Sequence, residues 1–161
     1  MKKMDSYGLK LCKFQGELFQ KSIEETDCSS GIFIRRFMLS DLAKRMDGAG
    51  FLFTATDVSD ALQEIEIEFG PSDYGSVKYG ENAIYWTGYI YQYWAYITGK
   101  SSKQIYKTVK PEELNKMYLP YHSMDPEQVI ERIKEAKNIS DEDQIKRGVE
   151  ILRRIRSRNK K

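Results

Sequence analysis

The sequence predicts an all-α fold, a single compact bundle of about seven or eight short helices around a central aromatic helix at residues 82–98. Apolar residues recur at helical spacing along most of the chain. Serine, aspartate and proline stand where helices would begin, and glycine and proline stand where they would end. Strand-like alternation is clean only at residues 65–69, and there it continues a helical set of apolar residues that starts at Val58.

The first part of the chain carries start and stop signals for several helices. Apolar spacing places the first helix at residues 7–25. Ser29 or Ser30 caps a second helix, because a serine oxygen accepts hydrogen bonds from the free N–H groups of a first turn. Residues 40–41 restart or continue that helix. A further helix ends at the glycine–proline pair of residues 70–71.

The aromatic helix holds five tyrosines and both tryptophans of the chain between Ile84 and Ile97. Apolar bulk therefore surrounds the whole helix, a pattern typical of a central and mostly buried helix. Gly88 lies in the middle, where glycine costs about 1 kcal/mol relative to alanine. We expect another helix to approach closely at this position.

Four further helices are predicted after it from proline and capping signals, the first a short helix that Ser101 or Ser102 caps and that runs to Thr108. Pro111 stands at a first-turn position and opens one helix. Pro120 ends that helix, because proline has no N–H and disfavours helical geometry in the residue before it. Residues 125–126, an Asp-Pro pair, begin the next helix, and Ser140 begins the last one. The apolar stripe of the last helix is Ile145, Val149, Leu152 and Ile155.

Length and composition predict one cytoplasmic domain over residues 1–161. Apolar residues make up 40% and charged residues 31% of the chain, as in globular proteins with a charged surface. No apolar run approaches the ~18 residues that a membrane span needs, and no signal peptide is evident. Cys12 and Cys28 are the only cysteines, too few for a disulfide framework or a zinc site. No cofactor is predicted.

The basic residues are concentrated at the C-terminal end. Residues 144–161 hold eight lysines and arginines against Glu150 alone, a net charge of +7 that leaves −5 for the rest of a chain whose total is +2. Such a segment predicts an anionic partner, nucleic acid or an anionic protein. The alternative is a helix end that complements its own dipole and frays. The predicted contact residues are Arg153, Arg154, Arg156, Arg158 and Lys160.

A second candidate anion site is the pair Arg35 and Arg36, which stands inside an otherwise apolar helix. Two guanidinium groups can clamp a phosphate or a carboxylate. The alternative, which we favour, is an ion pair to an acidic helix such as residues 57–69.

Few residues suggest catalysis or metal binding. Glu64 and Glu68 are spaced i, i+4 and share a helix face, and paired acids of this kind hold Mg²⁺ in all-helical nucleotide pyrophosphatases, whose Glu-x-x-Glu spacing is absent here. His122, the one histidine, could act as a general acid or base, although a lone histidine between helices more often caps or lies at the surface. No catalytic residue and no metal ligand is predicted.

The aromatic helix also suggests an interface. Tyrosine and tryptophan are enriched at protein interfaces, and the chain has a surplus of both, so we expect a homodimer. The residues predicted to line this interface or a ligand groove are Tyr85, Trp86, Tyr89, Tyr93 and Tyr96.

Four segments resemble a small, uncharacterised protein family of clostridia-like Gram-positive bacteria. They are residues 34–38, 73–79, 85–94 and 119–122, and Trp-Thr-Gly-Tyr-Ile-Tyr within the third is the most specific. The resemblance spans roughly residues 31–133, and the basic C-terminal segment lies outside it. It implies an all-helical fold, likened in topology to proteins that handle nucleic acid. The family has no assigned reaction, so the resemblance implies no catalytic residue.

These observations favour a non-enzymatic cytoplasmic binding protein that associates with nucleic acid, or with its processing, through the basic C-terminal helix. One alternative is a homodimeric protein-interaction module, similar to an antitoxin or an immunity protein. The other is a magnesium-dependent enzyme that processes nucleotides.

Overall fold

The structure is a computed structural model that describes residues 2–48, 50–51, 56–139, 153 and 155–156. These residues form helices and no strand, so the predicted all-α class is confirmed. The helices are α1 (Ser6–Glu25), α2 (Ser30–Met38), α3 (Asp41–Asp47), α4 (Val58–Phe69), α5 (Glu81–Thr98), α6 (Ser102–Thr108), α7 (Pro111–Tyr121) and α8 (Pro126–Ala136). The chain divides into two compact units, residues 1–124 with α1 to α7 and residues 125–161 with α8. That both belong to one domain stays a prediction.

Helices α1 and α5 form the centre of the first unit and cross at glycines. A side chain built on Gly88 of α5 would lie 2.8 Å from the carbonyl oxygen of Gln15 and 2.9 Å from the ring of Phe19. In the reverse sense, a side chain on Gly16 of α1 would lie 2.9 Å from the ring of Tyr85. The close helix approach that the sequence predicts at Gly88 is therefore confirmed.

The aromatic helix α5 is the core of this unit, as predicted. Trp94 is 1% exposed, and Tyr91 is fully buried. The Tyr91 hydroxyl donates a hydrogen bond of 2.6 Å to the carbonyl oxygen of Val109, which gives this buried polar group a partner. Helix α5 ends at Gly99, whose left-handed φ of 71° is a conformation that glycine adopts at low cost.

The predicted capping residues begin their helices. The side chains of Ser29, Ser40 and Asp125 each accept a hydrogen bond from an N–H of the first turn of α2, α3 and α8. Asp5, which was not predicted as a cap, does the same for α1. Ser40 therefore begins a separate helix, α3, and does not continue α2. The helix predicted from Ser140 lies outside the described residues, apart from three helical positions near residue 155.

The prediction that Pro120 ends its helix is wrong. Pro120 lies inside α7, which continues to Tyr121. A proline in the last turn removes a single N–H, and here the helix still closes because the N–H of His122 donates to the carbonyl oxygen of Tyr118 at 2.9 Å. The local preference of proline is outweighed by the hydrogen bonds of the turn around it.

The connection between α4 and α5, residues 70–80, lies across the start of α2. The N–H of Ser29 donates to the carbonyl oxygen of Tyr74 at 3.0 Å, and that of Ser30 donates to Val77 at 2.9 Å. The ammonium of Lys78 bonds the carbonyl oxygen of Thr26 at 2.7 Å. The loop after α4 is thus hydrogen-bonded to the turn between α1 and α2 and to the start of α2.

None of the helices in the described ranges is both long and apolar enough to cross a membrane. The cytoplasmic location stays a prediction.

Candidate functional site

The basic C-terminal segment is described at three positions. Arg153 and Arg156 are helical and exposed. Ile155, which was expected to belong to a buried apolar stripe, is 49% exposed, so that expectation is wrong for this residue. The other predicted contact residues, Arg154, Arg158 and Lys160, lie outside the described residues.

Arg35 and Arg36 do not form one clamp. Neighbouring residues of an α-helix point about 100° apart, and here Arg35 is exposed while Arg36 is half-buried. Arg36 Nη1 donates a hydrogen bond of 2.6 Å to the carbonyl oxygen of Gly70, and its guanidinium lies over the ring of Phe69 at 5.7 Å. The favoured alternative, an ion pair to an acidic helix such as residues 57–69, is not found among the described residues: Arg36 contacts the end of α4 through a carbonyl oxygen and a ring instead.

The candidate metal ligands Glu64 and Glu68 hold α3 against α4. Arg45 Nη2 lies 2.6 Å and 2.7 Å from the two carboxylate oxygens of Glu64. A carboxylate oxygen of Glu68 accepts a hydrogen bond of 2.8 Å from the N–H of Asp41, in the first turn of α3. The described residues contain no group of three or more histidine, cysteine, aspartate or glutamate side chains that could hold a metal ion.

His122 forms the end of α7. Its Nδ1 lies 2.9 Å from the carbonyl oxygen of Tyr118 and 3.2 Å from that of Leu119. The imidazole also stacks on the Tyr118 ring, with 4.6 Å between centroids. These contacts are those of a capping histidine, the alternative that the sequence favours.

The five aromatic residues predicted for an interface or groove differ in burial. Trp86 and Tyr93 are each 8% exposed, whereas Tyr85, Tyr89 and Tyr96 are half-buried. Tyr85, Tyr89 and Tyr93 stack in succession, with 6.4 Å and 6.2 Å between ring centroids. A single chain thus buries much of this aromatic surface, and Trp86 and Tyr93 offer little of it to a second molecule.

A cleft of about 550 Å³, which was not predicted from the sequence, lies on the first unit. The α1–α2 turn, one face of α2, one face of α4 and the loop after α4 line it. Leu62 is the half-buried apolar side chain of its floor, and Phe33, Ile65 and Cys28 lie behind the surface at 2%, 3% and 4% exposure. This volume lies within the range of about 300–1,000 Å³ typical of ligand sites.

Four carboxylates stand around this floor: Glu25, Asp27, Glu66 and Asp73. All four residues are exposed, and none has a hydrogen bond or ion pair from its side chain to another residue in the described ranges. Arg36 is the one basic residue among the described lining residues, which together carry a net charge of −3. Two ammonium groups stand next to this lining, since Lys21 hydrogen-bonds Ser59 and Lys78 hydrogen-bonds Thr26. The acids at residues 24–27 are visible in the sequence, but only the fold brings them to Glu66 and Asp73.

A smaller cavity of about 400 Å³ lies at the other end of α1, between α3 and α5. Asp47 on its wall accepts hydrogen bonds from the N–H and the hydroxyl of Ser102, at 2.9 Å and 2.8 Å. Burial raises the pKa of the Asp47 carboxyl above its usual value, and the two bonds from Ser102 oppose that shift. Asp47 therefore joins α3 to the start of α6.

Comparison of the chain with models of protein families, with curated proteins and with solved structures gives no match. The resemblance to a family of Gram-positive bacteria stays a prediction.

Proposed function

We propose that this protein acts by binding, and that its basic C-terminal segment binds nucleic acid. The observation that carries the proposal is the exposure of Arg153 and Arg156 within a segment whose net charge is +7. Phosphates attract such a cluster, and their displaced counterions supply binding free energy that depends on salt but not on base sequence. The proposal is also supported by Glu64, Glu68 and His122, whose side chains are engaged in structural contacts.

The charge of the rest of the chain limits this binding. Residues 1–143 carry a net charge of −5, which repels a long polyanion. Only the basic C-terminal segment therefore gains binding free energy from contact with nucleic acid. We therefore expect weak binding to DNA or RNA without sequence preference, present at low salt and lost at physiological ionic strength.

A gel-shift titration with duplex DNA and single-stranded RNA at low salt tests the proposal. Arg153→Gln together with Arg156→Gln should weaken binding, and truncation after Ile151 should abolish it. The matched control is Lys103→Gln with Lys107→Gln, which removes two exposed positive charges from α6 and should leave the shift nearly unchanged. If the intact protein shifts neither nucleic acid at low salt, the proposal is wrong and a protein partner takes its place.

The homodimer remains a second candidate, supported by the half-buried tyrosines Tyr85 and Tyr89 on α5. The argument from surplus aromatic residues is weaker than the sequence suggests, because the single chain buries Trp86 and Trp94 by itself. Sedimentation equilibrium at tens of micromolar decides the matter, and a monomeric mass would contradict the dimer.

A further inference from the structure

We propose that the cleft between the α1–α2 turn and α4 is a docking site for a segment of another protein in which arginine or lysine alternates with apolar residues. This proposal does not depend on the binding of nucleic acid, since the cleft is acidic and lies far along the chain from residues 144–161.

The charge of the cleft selects the occupant. Glu25, Asp27, Glu66 and Asp73 are exposed carboxylates without a hydrogen-bonding or ion-pairing partner elsewhere in the described chain. Carboxylates in this state attract guanidinium and ammonium groups, with which they form short, charge-assisted hydrogen bonds. The same charges repel phosphate and acidic peptides, so the anion site that the sequence suggests at Arg36 is disfavoured in this setting.

The floor of the cleft adds a second requirement. Leu62 presents apolar surface beneath the acidic rim, and the buried side chains of Phe33 and Ile65 support it from behind. Arginine and lysine place their methylene stems on apolar surface while the charged head stays at the rim, and neighbouring apolar side chains gain from the same floor. A polyamine brings the charge with little apolar surface, so the floor favours a peptide segment.

Arg36 keeps the walls of the cleft in place. Its hydrogen bond to the carbonyl oxygen of Gly70 joins α2 to the end of α4, and its guanidinium lies over the Phe69 ring at 5.7 Å. Opposite, Lys78 binds the α1–α2 turn through Thr26. The rim carboxylates therefore project from segments that are tied together, which lowers the entropy lost on binding.

Isothermal titration calorimetry of the full-length protein tests the proposal with three short synthetic peptides. The first alternates arginine with leucine, the second alternates arginine with serine, and the third alternates glutamine with leucine. The structure predicts that the first binds most tightly, because it alone satisfies both rim and floor. Its affinity should fall as salt rises, as expected for exposed charges.

The decisive variant is Glu66→Gln with Asp73→Asn, which neutralises two rim carboxylates without altering buried residues. It should weaken binding of the arginine–leucine peptide by about tenfold, the effect expected from the loss of two exposed charge pairs. The matched control, Glu17→Gln with Glu135→Gln, removes two exposed charges outside the cleft and should change the affinity by less than about twofold.

Leu62→Ser tests the floor. Because Leu62 is half-buried, circular dichroism must first establish that the variant is folded. The variant should then bind the arginine–leucine peptide more weakly and the arginine–serine peptide with unchanged affinity. The proposal is overturned if the first peptide does not bind, or if the rim variant and its control bind it equally. Equal binding of the first two peptides, with displacement by spermidine, would show recognition of charge alone and would also overturn it.

Discussion

The side-chain amide of Gln15 donates a hydrogen bond of 3.0 Å to the backbone carbonyl of Gly88, in the buried crossing of α1 and α5. The bond exists because Gly88 has no side chain: the two backbones approach until a β-carbon on residue 88 would touch the carbonyl of Gln15 itself. Gln15 is fully buried, so its donor has this carbonyl in place of water.

Substitution of Gly88 should therefore destabilise the protein although it improves helix propensity. Gly88→Ala gains about 1 kcal/mol of propensity, but overpacking against the Gln15 carbonyl costs about 1–3 kcal/mol. Gly88→Leu should lower the free energy of unfolding further, because its larger side chain overpacks the same contact. Chemical denaturation measures the difference.

Gly31→Ala is the control for Gly88, because Gly31 is also helical and its nearest neighbour, the Tyr79 hydroxyl, lies at an ordinary 3.5 Å. It should be neutral or stabilising by up to about 1 kcal/mol. A Gly88→Leu variant that is more stable than the parent would show that no helix packs there.

Trp94→Ala should cost about 3–5 kcal/mol of unfolding free energy, the usual range for a fully buried ring. Trp94 is 1% exposed, and its indole N–H has no hydrogen-bond partner among the residues that the structure describes. Trp94→Phe should therefore cost clearly less, because it keeps an aromatic ring and breaks no hydrogen bond. Urea titrations followed by far-ultraviolet circular dichroism measure both, and a loss below about 1 kcal/mol in the alanine variant would mean that α5 is not the core.

Alkaline pH should destabilise the protein partly through Cys12. Burial raises the pKa of this thiol from 9.0 to about 12. A group whose pKa is raised on folding stabilises the folded state fully at any pH below its pKa in the unfolded chain. That stabilisation is lost as the pH rises through its pKa in the folded protein. The free energy of unfolding should thus fall between pH 9 and about 12, by up to about 1.4 kcal/mol per pH unit from this group.

Cys12→Ala should make that decline shallower, while lowering stability at neutral pH by leaving a small void. Leu18→Ala is the control, because Leu18 is a fully buried residue of the same helix. Its substitution leaves a void in the core but keeps the Cys12 thiol. Its pH dependence should match that of the parent. Parallel slopes for Cys12→Ala and the parent would show that the thiol does not carry the effect.

The sequence predicts the helices well because their signals are local. Ser40 and Asp125 cap helices through their own first turns, and the spacing of apolar residues in α5 reports its burial directly. Pro120 misleads because its preference costs only one hydrogen bond in a last turn. The acidic cleft is invisible because Asp27, Glu66 and Asp73 belong to three separate segments, and only packing of α4 beside the α1–α2 turn brings them together.

Both tryptophans, Trp86 and Trp94, lie on α5 and are at least nine-tenths buried. The tryptophan fluorescence of the protein therefore reports on one helix, and a tryptophan emission maximum shifted to the blue is expected for the native state. A ligand that fills the cleft should leave this emission unchanged, because neither tryptophan lines the cleft. Loss of the blue shift would signal that the α1–α5 crossing has opened, so the optical signal separates unfolding from binding without any added label.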